Sequence, residues 1–481
     1  MTIVRRPSAG ASMLGGSITV PSSPCVHAPA RAVHPWTGED GTAGTVAVVG
    51  AGKMGLPLAA QFATHGWTVI AVDVNPAVVE AINAGRSHVG EEPGLAELVG
   101  RVHAEGRLRA TLDAALAARE ADVVVLIVPV MLDDDHRPDY RSMDAAVASI
   151  APGVHAGSAV IFETTLPIGD TRLRFAPAIE AASDLVADRD FFVAFSPERL
   201  LSGAVLDNLG AYPKLVGGIG EASTDRAARF YASVLDAEIV AMSSSEAAEF
   251  SKLAETTYRD VNIALANEFA HAADLHGIDV QEVIAAANSQ PYSHVHQPGI
   301  GVGGHCIPVY PHLLLARAPG LSLVETARRV NDGQVDRALA ILDPLVGGLA
   351  ASPVLVLGMT YREGVKELAY SGGIALVTAL QAAGARVYAF DPLLSDEEIL
   401  ALGVEPWRWG DHGPFRAIVA QTADRAFNGL DAAWFPELRV VYDGRNSLRG
   451  LALPEDVAYV GVGVQAATRS GRASQLGPRP R

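Results

Sequence analysis

A cysteine beside a run of glycines is the residue of this sequence best suited to chemistry. Residues 299–304 contain four glycines, and His305 and Cys306 follow them directly. Because glycine tolerates close approaches that a Cβ forbids, the Cys306 thiol can lie exposed beside a ligand. A thiolate can attack a carbonyl carbon and later leave, although a lone cysteine is more often a small buried apolar residue. We give His305 no role, since neighbouring side chains usually point apart.

A second glycine-rich segment, Gly50-Ala-Gly-Lys-Met-Gly55, has the spacing of a dinucleotide-binding loop. Its first glycine permits a tight turn, its second admits a pyrophosphate beside backbone N–H groups, and its third lets a helix pack on a strand. Asp73 follows about 20 residues later, where a carboxylate accepts hydrogen bonds from ribose hydroxyls and repels a 2′-phosphate. The segment predicts binding of NAD⁺ rather than NADP⁺, and a purely structural turn is the alternative.

The hydrophobic pattern predicts the elements that position these two segments. Short apolar runs predict buried parallel strands, and a helical pattern over residues 56–65 follows the first of them. The predicted strands of this part of the chain cover residues 45–50, 67–73, 121–128 and 158–162. Strands that alternate with helices predict a doubly wound, Rossmann-like α/β domain.

A long stretch without glycine or proline, residues 245–276, predicts one long helix that Gly277 can end. At 100° per residue its side chains fall on two faces. The first, which we expect to face a core, carries Phe250, Leu253, Thr257, Val261 and Ala264. The second, which we expect to face water, carries Lys252, Glu255, Thr256 and Arg259.

A second α/β unit near the end of the chain repeats the order of the first. Strands are predicted over 353–358 and 385–391, with a helix over 372–382 between them. We therefore predict an N-terminal domain (45–244), a central segment (245–345) and a C-terminal domain (346–464). Residues 1–44 and 465–481 lack periodicity and predict a disordered leader and tail.

Composition narrows the class of protein. A chain of 481 residues is too long to fold around one compact core, so more than one domain is expected. Its composition, 49% hydrophobic and 19% charged residues, is typical of a globular protein. A net charge of −17 disfavours partners such as nucleic acid and anionic membranes. Two cysteines exclude a disulfide framework and a cysteine-rich zinc site, so we predict no metal and a reducing, cytoplasmic setting. No apolar run reaches the roughly 20 residues of a membrane helix, and no signal peptide is recognisable.

Several motifs, in their order along the chain, resemble those of the UDP-glucose/GDP-mannose dehydrogenase family, the nucleotide-sugar 6-dehydrogenases. The resemblance covers about residues 45–464. The motifs are Gly50-Ala-Gly-Lys-Met-Gly-Leu-Pro-Leu-Ala59, Glu92-Pro-Gly-Leu95, Thr164-Thr-Leu-Pro-Ile-Gly169, Ser196-Pro-Glu-Arg199, Lys252-Leu-Ala-Glu-Thr-Thr-Tyr-Arg-Asp-Val-Asn-Ile-Ala264, Gly303-Gly-His-Cys-Ile307, Tyr361-Arg362 and Asp443-Gly-Arg445. The Pro-Glu-Arg and Gly-Gly-His-Cys-Ile motifs look closer to members that act on UDP-N-acetylhexosamines than to UDP-glucose enzymes.

The resemblance implies two Rossmann-like domains joined by a long helix that forms the core of a homodimer. It also implies oxidation of the C6 hydroxymethyl group of a UDP-sugar to a carboxylate with two equivalents of NAD⁺. The alcohol would first become an aldehyde, to which Cys306 would add as a thiohemiacetal. Loss of a second hydride would give a thioester, and water would hydrolyse the thioester to the uronate.

Positions within these motifs imply the residues of the site. Lys252 would stabilise the thiolate or an oxyanion, Glu198 would orient or activate water, and Thr165 would help to hold that water. Thr256 stands where many members have Asn, and its hydroxyl can still donate a hydrogen bond. The implied cofactor residues are Gly50, Gly52, Lys53, Met54, Gly55, Asp73, Pro129 and Thr165. The implied substrate residues are Glu198, Arg199, Lys252, Arg259, Gly303, Arg362, Lys366 and Arg445, of which Arg259 and Lys366, like Lys214, are weaker candidates.

Two residues depart from the family pattern. Tyr310 stands where many members carry an aspartate that assists the base, and a phenol with an ordinary pKa of about 10 cannot replace a carboxylate as base at pH 7. Ala369 stands where an arginine is common, so substrate contacts differ. Two other interpretations stay open. One is a two-electron hydroxyacid-type dehydrogenase, which needs neither Cys306 nor a second Rossmann-like domain; the other is a catalytically weak nucleotide-sugar-binding or regulatory protein.

Overall fold

The structure is a computed structural model that describes residues 43–464 except Glu91, residues 200–202 and Ala204. The predicted disordered tail, and all but the last two residues of the predicted leader, lie outside the described residues. Among the residues that it describes, no helix has both the length and the apolar composition needed to cross a bilayer.

The N-terminal domain is built on one large sheet. Its strands, with a small hairpin between β4 and β7, are β1 (Thr45–Val49), β2 (Thr68–Val72), β3 (Leu108–Thr111), β4 (Val123–Leu126), β5 (Met131–Leu132), β6 (Pro138–Asp139), β7 (Ala159–Phe162), β8 (Phe192–Phe195), β9 (Lys214–Gly218) and β10 (Ile239–Ala241). Eight of these form a sheet in the order β10-β9-β8-β7-β4-β1-β2-β3, and the hairpin pairs β5 with β6. Neighbours are parallel except for the antiparallel pair β8 and β9. The strands predicted from the apolar runs are thereby confirmed.

Helices cover both faces of this sheet. They are α1 (Gly55–Thr64), α2 (Pro76–Asn83), α3 (Leu95–Ala104), α4 (Ala114–Glu120), α5 (Arg141–Ile150), α6 (Ala176–Ser183), α7 (Val205–Asn208) and α8 (Glu221–Val234). Successive residues of a strand point to opposite faces, so Val46 and Val48 enter one core and Ala47 and Val49 enter the other. Strands that are dry on both faces explain why their sequences are continuous apolar runs.

The central segment is helical and starts with the long helix that the sequence predicts. Its helices are α9 (Ser245–His276), α10 (Val280–Ala287), α11 (Tyr310–Arg317), α12 (Ser322–Asp332) and α13 (Gln334–Val346). The Ser244 side chain accepts a hydrogen bond from the Ala247 N–H at the start of α9, and Gly277 ends α9 in a left-handed conformation.

The faces predicted for α9 are partly wrong. Lys252 and Thr256, expected in water, are 6% and 0% exposed, whereas Phe250, expected in a core, is 47% exposed. The reason is that α9 packs against the N-terminal domain and against α11 and α12, so more than one face is covered. A hydrophobic pattern records only the apolar part of that burial.

The C-terminal domain has a second parallel sheet. It contains the strands β11 (Pro353–Leu357), β12 (Arg386–Phe390), β13 (Glu405–Pro406), β14 (Ala417–Ala420), β15 (Val440–Asp443) and β16 (Ala458–Gly461), with helices α14 (Gly372–Ala382) and α15 (Asp396–Ala401). The order is β13-β12-β11-β14-β15-β16. Helices α13 and α14 pack on one face, and aromatic residues that include Trp407, Phe415 and Phe427 cover the other. Two Rossmann-like sheets connected through the long helix α9 confirm the predicted fold class.

Candidate active site

A cavity of about 1180 Å³ lies at the carboxyl ends of the N-terminal strands and extends to α9, the Cys306 segment and the C-terminal domain. The carboxyl edge of a parallel sheet is where α/β proteins bind their ligands. The cavity brings together residues predicted from both glycine segments and from the motifs between them: Gly50, Gly52, Lys53, Met54, Gly55, Asp73, Pro129, Thr165, Glu198, Lys252 and Cys306.

One end of the cavity is shaped for a dinucleotide. A Cβ on Gly55 would lie 1.9 Å from the Gly50 carbonyl oxygen, so only glycine lets α1 approach the strand this closely. A Cβ on Gly52 would meet no atom within 4 Å, so this glycine leaves space on the cavity side for a pyrophosphate at the start of α1. The residues present therefore fit a dinucleotide.

Asp73 is held in place beside this loop. Its carboxylate accepts hydrogen bonds from the Ala51 N–H at 3.0 Å and the Asn75 N–H at 2.9 Å. The apolar side chains of Val74 and Leu112, which are 94% and 55% exposed, line the same end of the cavity. A carboxylate next to exposed apolar side chains suits a ribose and its purine base.

The other end of the cavity holds the thiol. Cys306 is a partly exposed free thiol, and its carbonyl oxygen accepts hydrogen bonds from the Val309 and Tyr310 N–H groups as the chain enters α11. Lys252 reaches the same end from α9, and it pairs with no carboxylate among the described residues. A buried ammonium without a counter-charge attracts an anion that forms beside it.

Thr165 belongs to a loop that is anchored at both ends. The Thr164 hydroxyl donates to the Val128 carbonyl at 2.7 Å, and the Gly169 and Thr171 N–H groups donate to the Glu249 carboxylate at 2.5 and 2.9 Å. Burial raises the pKa of Glu249 to about 7, although these hydrogen bonds act in the opposite direction. Helix α9 thus fixes the position of the Thr165 loop relative to Lys252, which lies on the same helix.

Sequence reasoning missed a buried carboxylate that also lines the cavity. Glu163 directly follows β7 and is 0% exposed; it accepts a hydrogen bond from the Tyr231 hydroxyl and a contact of 3.1 Å from the Lys214 ammonium. Its Oε2 atom has no hydrogen-bond partner among the described residues. Lys214, rated a weaker candidate, is the structural counter-charge of Glu163. The available signal was the position of Glu163 at the carboxyl end of a predicted strand.

A second missed group joins the three parts of the chain at the cavity. The Glu367 carboxylate, from the C-terminal domain, lies 2.9 Å from His305 Nε2 and 3.8 Å from Lys53 Nζ. Burial works against ionisation, but hydrogen bonds from the Ala369 N–H and His305 hold the pKa of Glu367 below its ordinary value. His305, to which the sequence assigned no role, thus bridges the thiol segment to the C-terminal domain.

The cations predicted at the domain junction make protein contacts outside the cavity lining. Arg445 donates to the carbonyl oxygens of Gln421 at 2.8 Å and Gly301 at 2.9 Å, which ties the glycine segment to β14 and β15. Arg362 donates to the Tyr361 hydroxyl at 2.7 Å. Gly303 packs against Tyr361, since a Cβ there would lie 2.8 Å from the tyrosine Cβ.

The other predicted site residues also lie off the cavity lining. Arg199 donates to the Pro213 carbonyl, and Lys366 forms an ion pair of 2.6 Å with Glu398. Arg259 donates to the Thr256 hydroxyl at 3.5 Å, and Thr256 lies one turn after Lys252 on α9. Thr256 and Arg259, which the sequence predicts as site residues, therefore do not line the cavity. Within the part of the chain that is described, no group of His, Cys, Asp and Glu residues is arranged to hold a metal ion.

The chain matches one family along most of its length. Residues 44–235, 246–333 and 355–450 match the NAD binding, central and UDP binding domains of the UDP-glucose/GDP-mannose dehydrogenase family. It is 31% identical over 414 residues to a UDP-N-acetyl-D-mannosamine dehydrogenase of Pyrococcus horikoshii, covering 84% of this chain and 96% of that protein. It is 38% identical over 345 residues to the enzyme of that name from Yersinia pestis, covering 69% and 81%.

A solved structure shares the architecture. The UDP-glucose dehydrogenase of Pyrobaculum islandicum superposes with a TM-score of 0.78 at 27% identity, covering 89% of this chain and 100% of that chain.

Proposed function

The chain belongs to the UDP-glucose/GDP-mannose dehydrogenase family, and from that premise we propose that it oxidises the C6 hydroxymethyl of a UDP-N-acetylhexosamine to the carboxylate. The single observation that supports this most strongly is the cavity itself. It places Cys306 and Lys252 at one end of a space whose other end is the NAD⁺ loop and Asp73.

The reaction transfers four electrons in two steps. The Gly50–Gly55 loop and Asp73 would hold NAD⁺, which would supply the hydride acceptor for each step. After the alcohol has become an aldehyde, the Cys306 thiolate adds to its carbonyl carbon, and loss of the second hydride leaves a thioester on Cys306. Water then attacks the thioester, and the C–S bond breaks to release the acid and the thiolate.

The charges around Cys306 suit these steps. Lys252, buried on α9, would stabilise the oxyanion that forms at C6 and exchange the proton of the alcohol. Glu198, at the carboxyl end of β8, would orient the hydrolytic water, and Thr165 would hold it. Arg362 and Arg445 would contact the nucleotide from the C-terminal domain.

An N-acetylated sugar is proposed because of the relatives' names and the motifs around Glu198 and Cys306. The fold does not choose the sugar, since a protein named for UDP-glucose has the same architecture. A UDP-linked uronate is a building block suited to polysaccharide biosynthesis, and a free nucleophilic thiol suits a reducing, cytoplasmic setting.

We also propose that two copies of the chain associate through α9. A row of apolar side chains on this helix is exposed: Phe250 at 47%, Tyr258 at 55%, Leu265 at 45% and Phe269 at 38%. These residues follow one another at intervals of eight, seven and four residues, so they lie on one side of the helix. An exposed apolar row of this length is typical of a protein–protein contact.

The proposal is tested with purified protein, NAD⁺ and a panel of UDP-ManNAc, UDP-GlcNAc, UDP-glucose and GDP-mannose. We expect turnover with an N-acetylated UDP-sugar and two NADH for each acid formed, followed at 340 nm and by mass spectrometry. One NADH per product would indicate the two-electron dehydrogenase, and tight UDP-sugar binding without NADH would indicate the binding protein. Preference for UDP-glucose would overturn the choice of sugar only.

A further inference from the structure

Tyr310, which stands where many members of the family have an aspartate, lines the cavity beside the thiol of the proposed mechanism. It is the first residue of α11, and the Cys306 carbonyl accepts its N–H at 2.9 Å. Its side chain lines the cavity together with those of Thr165 and Cys306. The Lys252 ammonium lies 5.8 Å from the centre of its ring. The phenol therefore lies among the thiol, the ammonium and the threonine that line this end of the cavity.

Burial, the charge of Cys306 and the charge of Glu198 together raise the pKa of Tyr310 well above its ordinary value, although the Thr165 hydroxyl acts the other way. Tyr310 is therefore a neutral phenol over the working range of pH. A neutral phenol cannot take a proton from water as a carboxylate does. It can donate its own hydrogen to an anion, and hydrogen bonds to charged acceptors are the strong ones.

We propose that Tyr310 is a catalytic residue, which donates a hydrogen bond from its hydroxyl to Sγ of the Cys306 thiolate. This rests on the proposed role of Cys306 as nucleophile. In the addition step, an electron pair of the sulfur forms the C–S bond and the carbonyl π pair moves to oxygen. In hydrolysis, the C–S pair returns to sulfur, and the phenol stabilises the thiolate as it leaves. The phenolic proton stays on Tyr310 throughout, so the step needs no additional acid or base.

The other groups at this end of the cavity carry charge and act differently. Lys252 favours the thiolate, Glu198 opposes it, and His305 is engaged with Glu367. Replacing Tyr310 by phenylalanine changes none of these charges and keeps the ring. Its effect on the thiol therefore isolates the hydrogen bond.

The test measures the thiol itself in the full-length protein. Alkylation of Cys306 by iodoacetamide is followed from pH 5 to 10 by mass spectrometry of the peptide that contains it. In Tyr310→Phe we expect the midpoint to rise by about one pH unit, a roughly tenfold loss of thiolate at neutral pH, and kcat to fall in proportion. Replacement of Tyr310 by 3-fluorotyrosine, a stronger donor of nearly the same shape, should move the midpoint down.

A control is Tyr442→Phe, which removes a buried phenol in β15 away from the cavity and should leave the midpoint unchanged. An unchanged midpoint in Tyr310→Phe, with NAD⁺ affinity as in the wild type, would show that the ring is only a spacer and overturn the proposal. Should Tyr310→Phe fail to fold, a 3-fluorotyrosine variant with an unmoved midpoint has the same meaning. A failure of the proposed function gives a different result: a Cys306→Ser variant would then still form the acid, whatever the effect of Tyr310→Phe.

Discussion

At the scale of single residues, the site combines a thiol with a buried cation that no described carboxylate neutralises. A buried ammonium costs free energy unless another group compensates it. Two other buried cations of the described residues are paired with carboxylates: Lys214 contacts Glu163, and Arg328 contacts Asp260 at 2.6 Å. Lys252 has no carboxylate partner among the described residues, and in the proposed mechanism its partner is the anion that forms during turnover.

Replacing Cys306 by serine tests the covalent step. The expected result is loss of acid formation by at least about 1,000-fold, since an alkoxide is harder to generate and to expel than a thiolate. Acid is measured by chromatography, with NADH release followed in parallel. Ser251→Ala, which removes a partly buried hydroxyl of α9 outside the cavity lining, serves as a control that should retain activity. Undiminished acid formation in Cys306→Ser would exclude the thioester.

Replacing Asp73 by asparagine tests the cofactor end of the cavity. The variant loses the carboxylate that would accept hydrogen bonds from the ribose hydroxyls. A hydrogen bond to a charged group contributes about 1.5–3 kcal/mol to the free energy of binding. We expect the dissociation constant for NAD⁺ to rise by roughly tenfold or more, while that for the UDP-sugar stays within about twofold. Both are measured by calorimetry. Equal losses for the two ligands would mean that Asp73 supports the fold rather than the cofactor.

At the scale of elements, α9 fixes the relative positions of the loops and side chains that form the site. Within its first three turns it supplies Glu249, which anchors the Thr165 loop, and Lys252, which enters the cavity. Farther along, Asp260 and Asn267 are hydrogen-bonded to residues of α12, Arg328 and Asn331. A helix of 32 residues spans about 48 Å, so it can connect both domains without a joint.

The Glu249 contact predicts a dependence of stability on pH. The pKa of Glu249 is about 7 in the folded chain against 4.5 for the free side chain. The folded protein therefore binds this proton more tightly, and the resulting stability is complete below pH 4.5 and is lost as pH rises through 7. The contribution is about 3 kcal/mol at most.

Glu249→Gln should flatten this part of the profile, measured as the free energy of unfolding in urea between pH 4.5 and 8. Glu268→Gln, the same substitution on the exposed side of α9, should leave the slope as in the wild type. A slope in Glu249→Gln identical to that of the wild type would contradict the assignment.

At the scale of the whole molecule, the site exists only where three parts of the chain meet. The glycine loop and Glu198 come from the N-terminal domain, Lys252 and Cys306 from the central segment, and Tyr361 and Glu367 from the C-terminal domain. The contacts of Glu367 with Lys53 and His305 connect all three. Relative movement of the domains would therefore open or close the cavity at the thiol.

The exposed row on α9 predicts an assembly. Leu265→Glu places a charge in the proposed contact, where an unpaired charge is costly, and should convert dimers into monomers or weaken them at least tenfold. The mass of the particle is measured by light scattering after gel filtration. Leu400→Glu, at a leucine of α15 that is 51% exposed, is the matched control and should not change the mass. A wild-type protein that is already monomeric would remove the basis of this prediction.

The sequence by itself determined six strands, three helices and the positions of the two glycine segments. Both are local properties: apolar runs, the helical period and glycine spacing involve residues that are close in the chain. The long helix, its end at Gly277 and the strands that precede Gly50 and follow Gly66 could therefore be predicted. Cys306 and Lys252 could be named because their motifs resemble those of a family.

Only the tertiary structure decided which polar residues lie inside the cavity. Lys252 and Lys366 both have charged residues near them in the sequence. Lys252 is nevertheless buried in the cavity, whereas Lys366 is paired with Glu398. The burial of Glu163, the His305–Glu367 contact and the position of Tyr310 beside Cys306 in the cavity also emerge only in three dimensions. The physical reason is that burial and electrostatic environment depend on segments far apart in the chain, which no local pattern records.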